Sequence, residues 1–462
     1  MRRTAPLGLA VLLAFSQGLA AQMSPGARSV AMGGGGMVFA TGVDAVEWNP
    51  ANLGWAGGWN VSLFEVGISM LTTGATIGEI VGIADEDAGT FQSSFAGWLF
   101  QTDRTSGEII AGLPADGVQL SAVTEGFWSA FATEQSDLPA LRSFSLPSVG
   151  LTVGPFGIRV RNRVFSDITI SKELADLIGN GYVDQNIQNY SVGNTGWSTT
   201  SLSEVTVAYG TTLGGLLSIG VGGRYVMGHG MVQGRFFEPE LDLNCIGVSG
   251  CDALTIQTVA VESTDGTGYG LDVGASLELP GGFRASVSGT NVIQKMTWEE
   301  ALVAHTAEYT DADFDDSSFI DILDRFDAEP IDPNGASLGV YTAAEGLFEQ
   351  SYFPQVYRAG IGWQSGGTSL EAVGSSVAPR GRYTSSWDQR VSLGIEQKIP
   401  ILTLRAGYAL GEDGITAVTG GLGLGFGPVL LEASGGRFSG ESVSTTTWDG
   451  YYGTVALQIK GG

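Results

Sequence analysis

The chain has 462 residues but only two cysteines and two histidines. So few thiol and imidazole groups leave no cluster with zinc-ligand spacing. Basic residues are also scarce. Twenty-two Lys and Arg face 48 Asp and Glu, a net charge of −26, which argues against nucleic acid as a partner. Charged residues make up 15% of the chain, below the roughly 25% of ordinary globular domains. Beyond the first 21 residues, no apolar run approaches the roughly 20 residues of a transmembrane helix. There is no phosphate loop. No enzyme activity and no cofactor is therefore expected.

What fills the gap is glycine, 71 residues of it, with Ser, Thr and aromatics. Residues 1–21 read as an export signal: Met1-Arg2-Arg3, an apolar stretch from Leu7 to Phe15, and Gly18-Leu19-Ala20-Ala21 for cleavage. Export places the mature chain in an oxidising compartment, which favours a disulfide between Cys245 and Cys251 over two free thiols.

The dominant pattern is alternation. In Val391–Ile399, apolar side chains stand at 391, 393, 395 and 399, with Ser392, Gly394, Glu396 and Lys398 between them. Leu402–Leu410, Leu217–Tyr225, Phe283–Ile293 and Tyr451–Lys460 behave alike. Period two means strands with two chemically distinct faces. Tight turns at Gly154-Pro155, Gly214-Gly215, Gly281-Gly282, Gly366-Gly367, Pro400 and Gly427-Pro428 alternate with longer connections. That rhythm predicts an all-β fold: a transmembrane antiparallel β-barrel with short periplasmic turns and long external loops.

Fourteen strands are expected, near 59–69, 142–154, 156–170, 194–212, 216–230, 254–279, 283–296, 350–364, 368–378, 387–399, 401–410, 414–426, 429–439 and 447–460. The long loops are then 70–141, 171–193, 231–253 and 297–349. A soluble sandwich or propeller fits less well, because its strands usually run about 5–6 residues. Trp197, Trp298, Trp387 and Trp448, near the outer strand ends, are candidates for an interfacial girdle or for loop packing.

Alternation also assigns side chains to the lumen. Arg159, Arg161 and Arg163 are spaced by two, and Arg on the lipid face near the midplane costs about 2–4 kcal/mol each. They must face inward, and Arg224, Arg284, Arg358, Arg405, Glu204, Glu396 and Glu432 follow by the same parity. Two uses are open: a basic surface for an acid head group, or an Arg–Glu ladder that stabilises a filled barrel. The acidic segment 299–349 is either a solvated surface or a calcium site, though it lacks the spacing of an EF-hand. His229 is the one side chain placed where a surface hydrolase would keep a base.

One stretch does not alternate. Gly26-Ala27-Arg28-Ser29-Val30-Ala31-Met32-Gly33-Gly34, then Asp44-Ala45, then Trp48-Asn49-Pro50-Ala51, resembles the start of mature FadL-like proteins of Gram-negative outer membranes. These include long-chain fatty-acid transporters, aromatic-hydrocarbon porins and the shuttle barrel of type IX secretion. The resemblance implies that residues 22–58 fold into the lumen as a hatch, with 59–462 as the barrel. Gly33, Gly34, Gly35, Gly36, Asn49, Pro50, Ala51 and Asn52 are the implied gate. The alternative is a glycine-rich lead-in to the first strand.

The resemblance further implies passage of hydrophobic small molecules such as long-chain fatty acids, leaving through a gap in the wall beside a kinked strand, for which Gly67 and Gly210 are candidate weak points. Implied partners are outer-membrane lipid and lipopolysaccharide. The competing function is a non-transporting barrel that serves a secretion or surface-attachment system as scaffold or shuttle, with secretion-system components as partners.

Overall fold

Alternation in the sequence becomes alternation in exposure. On the strand Leu402–Gly411, Leu404, Tyr408 and Leu410 are exposed while Arg405 and Ala409 are buried. The computed structural model describes residues 26–76, 79, 113, 118–125, 148–174, 195–236, 240–241, 254–263, 266–298, 303–310, 355–378, 389–411, 414–441 and 447–461. The expected export signal, the two cysteines and most of the acidic segment lie outside them.

Among the described residues eighteen strands form one antiparallel sheet: β1 Trp59–Thr73, β2 Val118–Glu125, β3 Val149–Val153, β4 Phe156–Ile170, β5 Gly196–Leu213, β6 Leu217–Phe236, β7 Glu240–Leu241, β8 Leu254–Ser263, β9 Gly266–Leu279, β10 Phe283–Trp298, β11 Val303–Thr310, β12 Gln355–Ser365, β13 Thr368–Ala378, β14 Arg390–Ile399, β15 Leu402–Gly411, β16 Thr416–Phe426, β17 Val429–Glu441 and β18 Thr447–Gly461. β18 pairs with β1 from Trp59↔Gly461 to Thr73↔Trp448, which closes the cylinder. β8 and β9 run in one continuous register along β6 and act as a single strand.

The wall has fourteen positions: β1, β2 with β3, β4, β5, β6, β8 with β9, β10, and β12 to β18. β7 and β11 pair with β8 beyond the rim.

The expected strands recur with shifts of a few residues, and the differences lie at the loop end. Residues 118–125 fall inside the expected excursion 70–141, yet form part of the wall. β3 fills the turn end of the second position and β2 its loop end, each between β1 and β4. Likewise β6 runs on to Phe236, and 303–310 is strand.

A belt of large apolar side chains girds the outside, with Val207 55%, Ile361 52% and Val418 64% exposed. Exposed rings mark its edges: Trp59, Phe156, Phe283 and Phe426 near the tight turns, and Tyr225, Tyr269, Tyr357 and Tyr408 toward the loop end. From Leu279 to Tyr269 the strand climbs ten residues, about 25 Å at ~3.3 Å each and ~40° tilt. That matches the apolar band of a membrane barrel.

Of the expected tryptophans, Trp298 does not stand at these edges. Trp298 packs with Met296 against Phe165, Leu202 and Val226 on the lumen side, and Trp197 meets Phe236 edge-on at 5.8 Å. The side chains of Trp387 and Trp448 lie outside the described residues.

Candidate functional site: the barrel lumen

Residues 26–55 occupy the turn-end half of the lumen. Helix α1, Ala27–Ala31, packs on β15 to β18. Helix α2, Val43–Trp48, reaches β1, β3, β4, β5 and β10, and the 3₁₀ turn Pro50–Trp55 rests on β5, β6 and β9. Contacts all round the wall require an interior position, and Ala31, Met37, Val46, Asn49 and Ala51 are fully buried.

The wall's glycines make this possible. A Cβ on Gly210, Gly220 or Gly274 would lie closer than 3.0 Å to the Asn49–Ala51 backbone or the Asn49 side chain. Gly407 and Gly394 stand in the same relation to Met32 and Gly33, and Gly150 and Gly157 to Val43 and Val46. These seven wall glycines are therefore sockets for the segment. Gly210, a candidate weak point of a kinked strand, is such a socket in a regularly paired strand. Gly67 is also regularly paired, with Thr454 and Glu125.

Within the segment, Gly33, Gly34 and Gly36 adopt φ of +72°, +78° and +88°, which fold Met32–Gly36 into a compact reversal against β14 and β15. Gly35 is not in that region. Asn49 is extended, as a residue before proline must be. Its Oδ1 accepts from Ala51 N at 3.1 Å, while its Nδ2 donates to Ser276 Oγ at 2.9 Å. Asn52 Nδ2 donates to Met37 O at 2.9 Å, and its Oδ1 accepts from Ser276 Oγ. The Asn-Pro-Ala-Asn turn is thereby tied both to the wall and to the segment itself.

The lumen arginines meet carboxylates. Arg159 reaches Glu65 at 2.9 Å and Glu47 at 3.2 Å. Arg161 bridges Glu125, at 2.7 Å, and Glu47. Arg163 and Arg224 share Glu204, and Arg224 also holds Asp272 at 3.0 Å. Across the lumen, Arg28 binds Glu371 and Glu396, and Arg405 joins Glu396 to Glu432 at 2.6 Å each. Arg284 pairs with Glu278 and stacks over Trp55 at 4.2 Å. Burial pushes the Asp44 carboxyl up from its usual range, and Arg159 pulls it back.

Of the ten residues expected in the lumen, Arg159, Arg161, Arg163, Arg224, Arg358, Arg405, Glu204, Glu396 and Glu432 are buried and Arg284 is half-buried, and the ion pairs above include all of them but Arg358. Parity reasoning overlooked Arg28, Asp44, Glu47, Glu65, Glu125, Asp272 and Glu371. Glu371 and Asp272 stand on the polar parity of their strands. Arg28 is the one cation in the segment and required an anion in the wall.

At the upper edge of the segment the described part of the second wall position stops. Among the described residues no strand fills the second position between Glu125 and Val149, opposite Leu63–Val66 of β1. Glu125, the last residue of β2, is held there by Arg161 and Ser148, and Arg161 is held by Glu47 of α2. A second irregularity lies in β10, where Asn291 takes φ +54° and the register with β9 slips between Gly289 and Ile293. Above these charges the lumen wall turns apolar, with Phe165, Leu202, Val226, Met296 and Trp298 on one side and Val356 and Val377 on the other.

His229 is the extra residue of a bulge, since Leu202 pairs with Gly228 and Ser201 with Gly230. Its Nε2 lies 2.5 Å from Ser203 Oγ, which also bonds Asn162.

No protein-family model matches the chain, and no curated protein matches it in sequence. Solved structures do match. A TodX ΔS2S3 mutant monoaromatic hydrocarbon channel aligns with a TM-score of 0.50 at 12% identity, covering 94% of this chain and 99% of that one. The Ralstonia pickettii toluene transporter TbuX aligns at 0.48 and 13%, covering 95% and 99%. A Pseudomonas aeruginosa FadL homologue aligns at 0.48 and 12%, covering 94% and 97%. At 12% identity the likeness to the TodX channel is one of architecture alone, and it agrees with the fourteen wall positions traced above: the chain has the FadL-like barrel fold.

Proposed function

We propose that the protein is a channel in the outer membrane of a Gram-negative bacterium for hydrophobic small molecules, long-chain fatty acids among them. Residues 22–58 act as its hatch. The turn end is periplasmic, and lipid with lipopolysaccharide surrounds the apolar belt. The observation that carries this reading is the coincidence of two features at one height: the top of the buried segment and the start of the apolar upper lumen. A molecule descending from outside passes apolar side chains and meets a blocked axis.

The Glu47–Arg161–Glu125 chain ties α2 to β4 and to the end of β2, so a shift of α2 is felt in the wall. Gly33–Gly36 and Asn49–Asn52 are the gate elements, because they carry the reversal and the wall-bound turn. Uptake of labelled fatty acid by cells carrying Asn49→Ala or Pro50→Gly tests this. Altered uptake at equal surface abundance supports the gate, and unchanged uptake removes it. The densely packed periplasmic half favours the competing reading of a scaffold or shuttle for secretion-system components. For a scaffold, uptake in wild-type cells would equal that of cells lacking the protein.

A further inference from the structure

The turn end of the lumen closes on one arginine. Arg284 is the second residue of β10, with Glu278 of β9 beside it on one strand and Gly362 of β12 on the other. Its Nη2 donates to Glu278 Oε1 at 2.6 Å, and its Nη1 to Val38 O at 3.4 Å. The guanidinium lies 4.2 Å from the centre of the Trp55 ring and 5.1 Å from that of Phe39. Gly362 makes room for the second ring, since a Cβ there would lie 2.5 Å from Phe39 Cε2. One wall side chain thus holds two rings of the buried segment by cation–π contacts.

The two rings are the two ends of a loop. Phe39 precedes α2 and Trp55 closes the 3₁₀ turn, so α2 and Asn49–Asn52 lie between them. Other contacts grip this loop farther in and one at a time, Glu47 on Arg161 and Asn49 on Ser276. Arg284 fastens both ends at once and so closes the neck. Helix α1 is fastened separately, by Arg28 to Glu371 and Glu396.

The neck is also where release costs least. Withdrawing Glu47 from Arg159 and Arg161 would leave a buried carboxylate unpaired. Withdrawing the rings from Arg284 leaves its guanidinium on Glu278, which is itself partly exposed. Next to the neck, Gly57 is exposed with nothing within 4 Å of an added Cβ, and Gly58 takes φ +72°. A glycine pair in that position absorbs backbone rotation as a hinge.

We propose that Arg284 is the latch of the hatch. Release of Trp55 and Phe39 lets residues 53–56 pivot on Gly57–Gly58 and opens the segment from its turn end, while α1 stays on the wall. This rests on the channel reading above and adds its regulation: the latch sets how often the hatch opens, and with it the rate of passage. Arg284 is a positioning residue, since its action runs through the two rings.

The test uses the full-length protein in vesicles, read by amide hydrogen exchange and by entry of labelled fatty acid. Arg284→Met should raise exchange roughly tenfold at residues 37–42 and 52–58, as for loss of two cation–π contacts, and leave residues 27–33 unchanged. Fatty acid should enter severalfold faster. Trp55→Leu should loosen the same stretches, and the double variant should match Arg284→Met, because the Trp55 contact is already gone there. Unchanged exchange at the neck, an equal rise throughout residues 26–58, or full additivity of the two substitutions would overturn the proposal.

If Arg284→Met fails to fold, judged by loss of the heat-dependent gel shift, Trp55→Leu is read alone, and an unmoved neck in that variant overturns the latch. Where the wild type admits fatty acid above the level of protein-free vesicles, a loosened neck with no faster entry also overturns it. Failure of the channel reading looks different: entry equals that of protein-free vesicles in every variant, whatever the exchange shows. That outcome defeats the channel and, with it, the latch's control of passage.

Discussion

Replacing Gly220 by alanine should loosen the hatch without harming the barrel. Gly220 lies on the inner face of β6, and a Cβ there would come closer than 3.0 Å to backbone atoms of Pro50 and Ala51. Carbon contacts settle at about 3.5–4.0 Å, so the turn must retreat by on the order of 1 Å. Overpacking of this kind costs about 1–3 kcal/mol. The turn is held by the Asn49–Ser276 and Asn52–Met37 hydrogen bonds, each worth about 1 kcal/mol net. The strain is therefore comparable to the restraint, and the displaced state should gain roughly fivefold to 150-fold in population at ~1.4 kcal/mol per decade.

Amide hydrogen exchange read by mass spectrometry reports this directly, since local opening sets the exchange rate. Peptides spanning residues 43–55 should lose protection by that factor, while those from β12 to β17 keep theirs. Gly223 of the same strand has nothing within 4 Å of an added Cβ, so Gly223→Ala is the matched control. Unchanged protection of 43–55 in a folded Gly220→Ala protein would refute the socket reasoning.

Other perturbations separate the remaining contributions. Arg28→Met removes the counter-charge of buried Glu371, while Glu396 keeps Arg405, and should cost about 3–5 kcal/mol, seen as a lower urea midpoint for unfolding in detergent. Val221→Arg places a cation at the middle of the outer belt and should cost about 2–4 kcal/mol on refolding into vesicles, whereas Gly223→Ala should cost far less. Asn49→Ala removes the cap on Ala51 and the bond to Ser276, so about 0.5–2 kcal/mol of local stability should go, read as faster exchange at residues 50–55.

The barrel could be read from the chain because a membrane wall imposes a strict physical pattern. Every second side chain must be apolar, and any arginine off that pattern is driven inward. This is why Arg159, Arg161 and Arg163 could be placed with nothing but their spacing. β2 escaped the same logic. It shares its wall position with β3 across a gap of more than twenty residues, so neither piece resembles a complete strand. The partners of the arginines escaped for another reason. Parity says that Glu65, Asp272 and Glu371 face inward, but only the register of strands far apart in sequence brings them to Arg159, Arg224 and Arg28. The hatch lay between these cases. Its sequence departs from alternation, and its interior position was implied by resemblance rather than by spacing. The sockets at Gly210, Gly220 and Gly274 become visible only when the two backbones are seen together. The tyrosine edge was overlooked because tryptophan near the strand ends drew the assignment, whereas Trp298 turns inward.

The most direct test ties the hatch to the wall and asks whether passage stops. A Cβ on Gly157 would meet the side chain of Val46, so Val46→Cys with Gly157→Cys, in a chain whose Cys245 and Cys251 are serine, is placed for a disulfide. In vesicles containing this protein, labelled fatty acid should enter faster than in protein-free vesicles under reducing conditions, stop entering on oxidation, and resume with dithiothreitol. Equal uptake in the oxidised and reduced states, or none above protein-free vesicles in either, would contradict a hatch-gated channel.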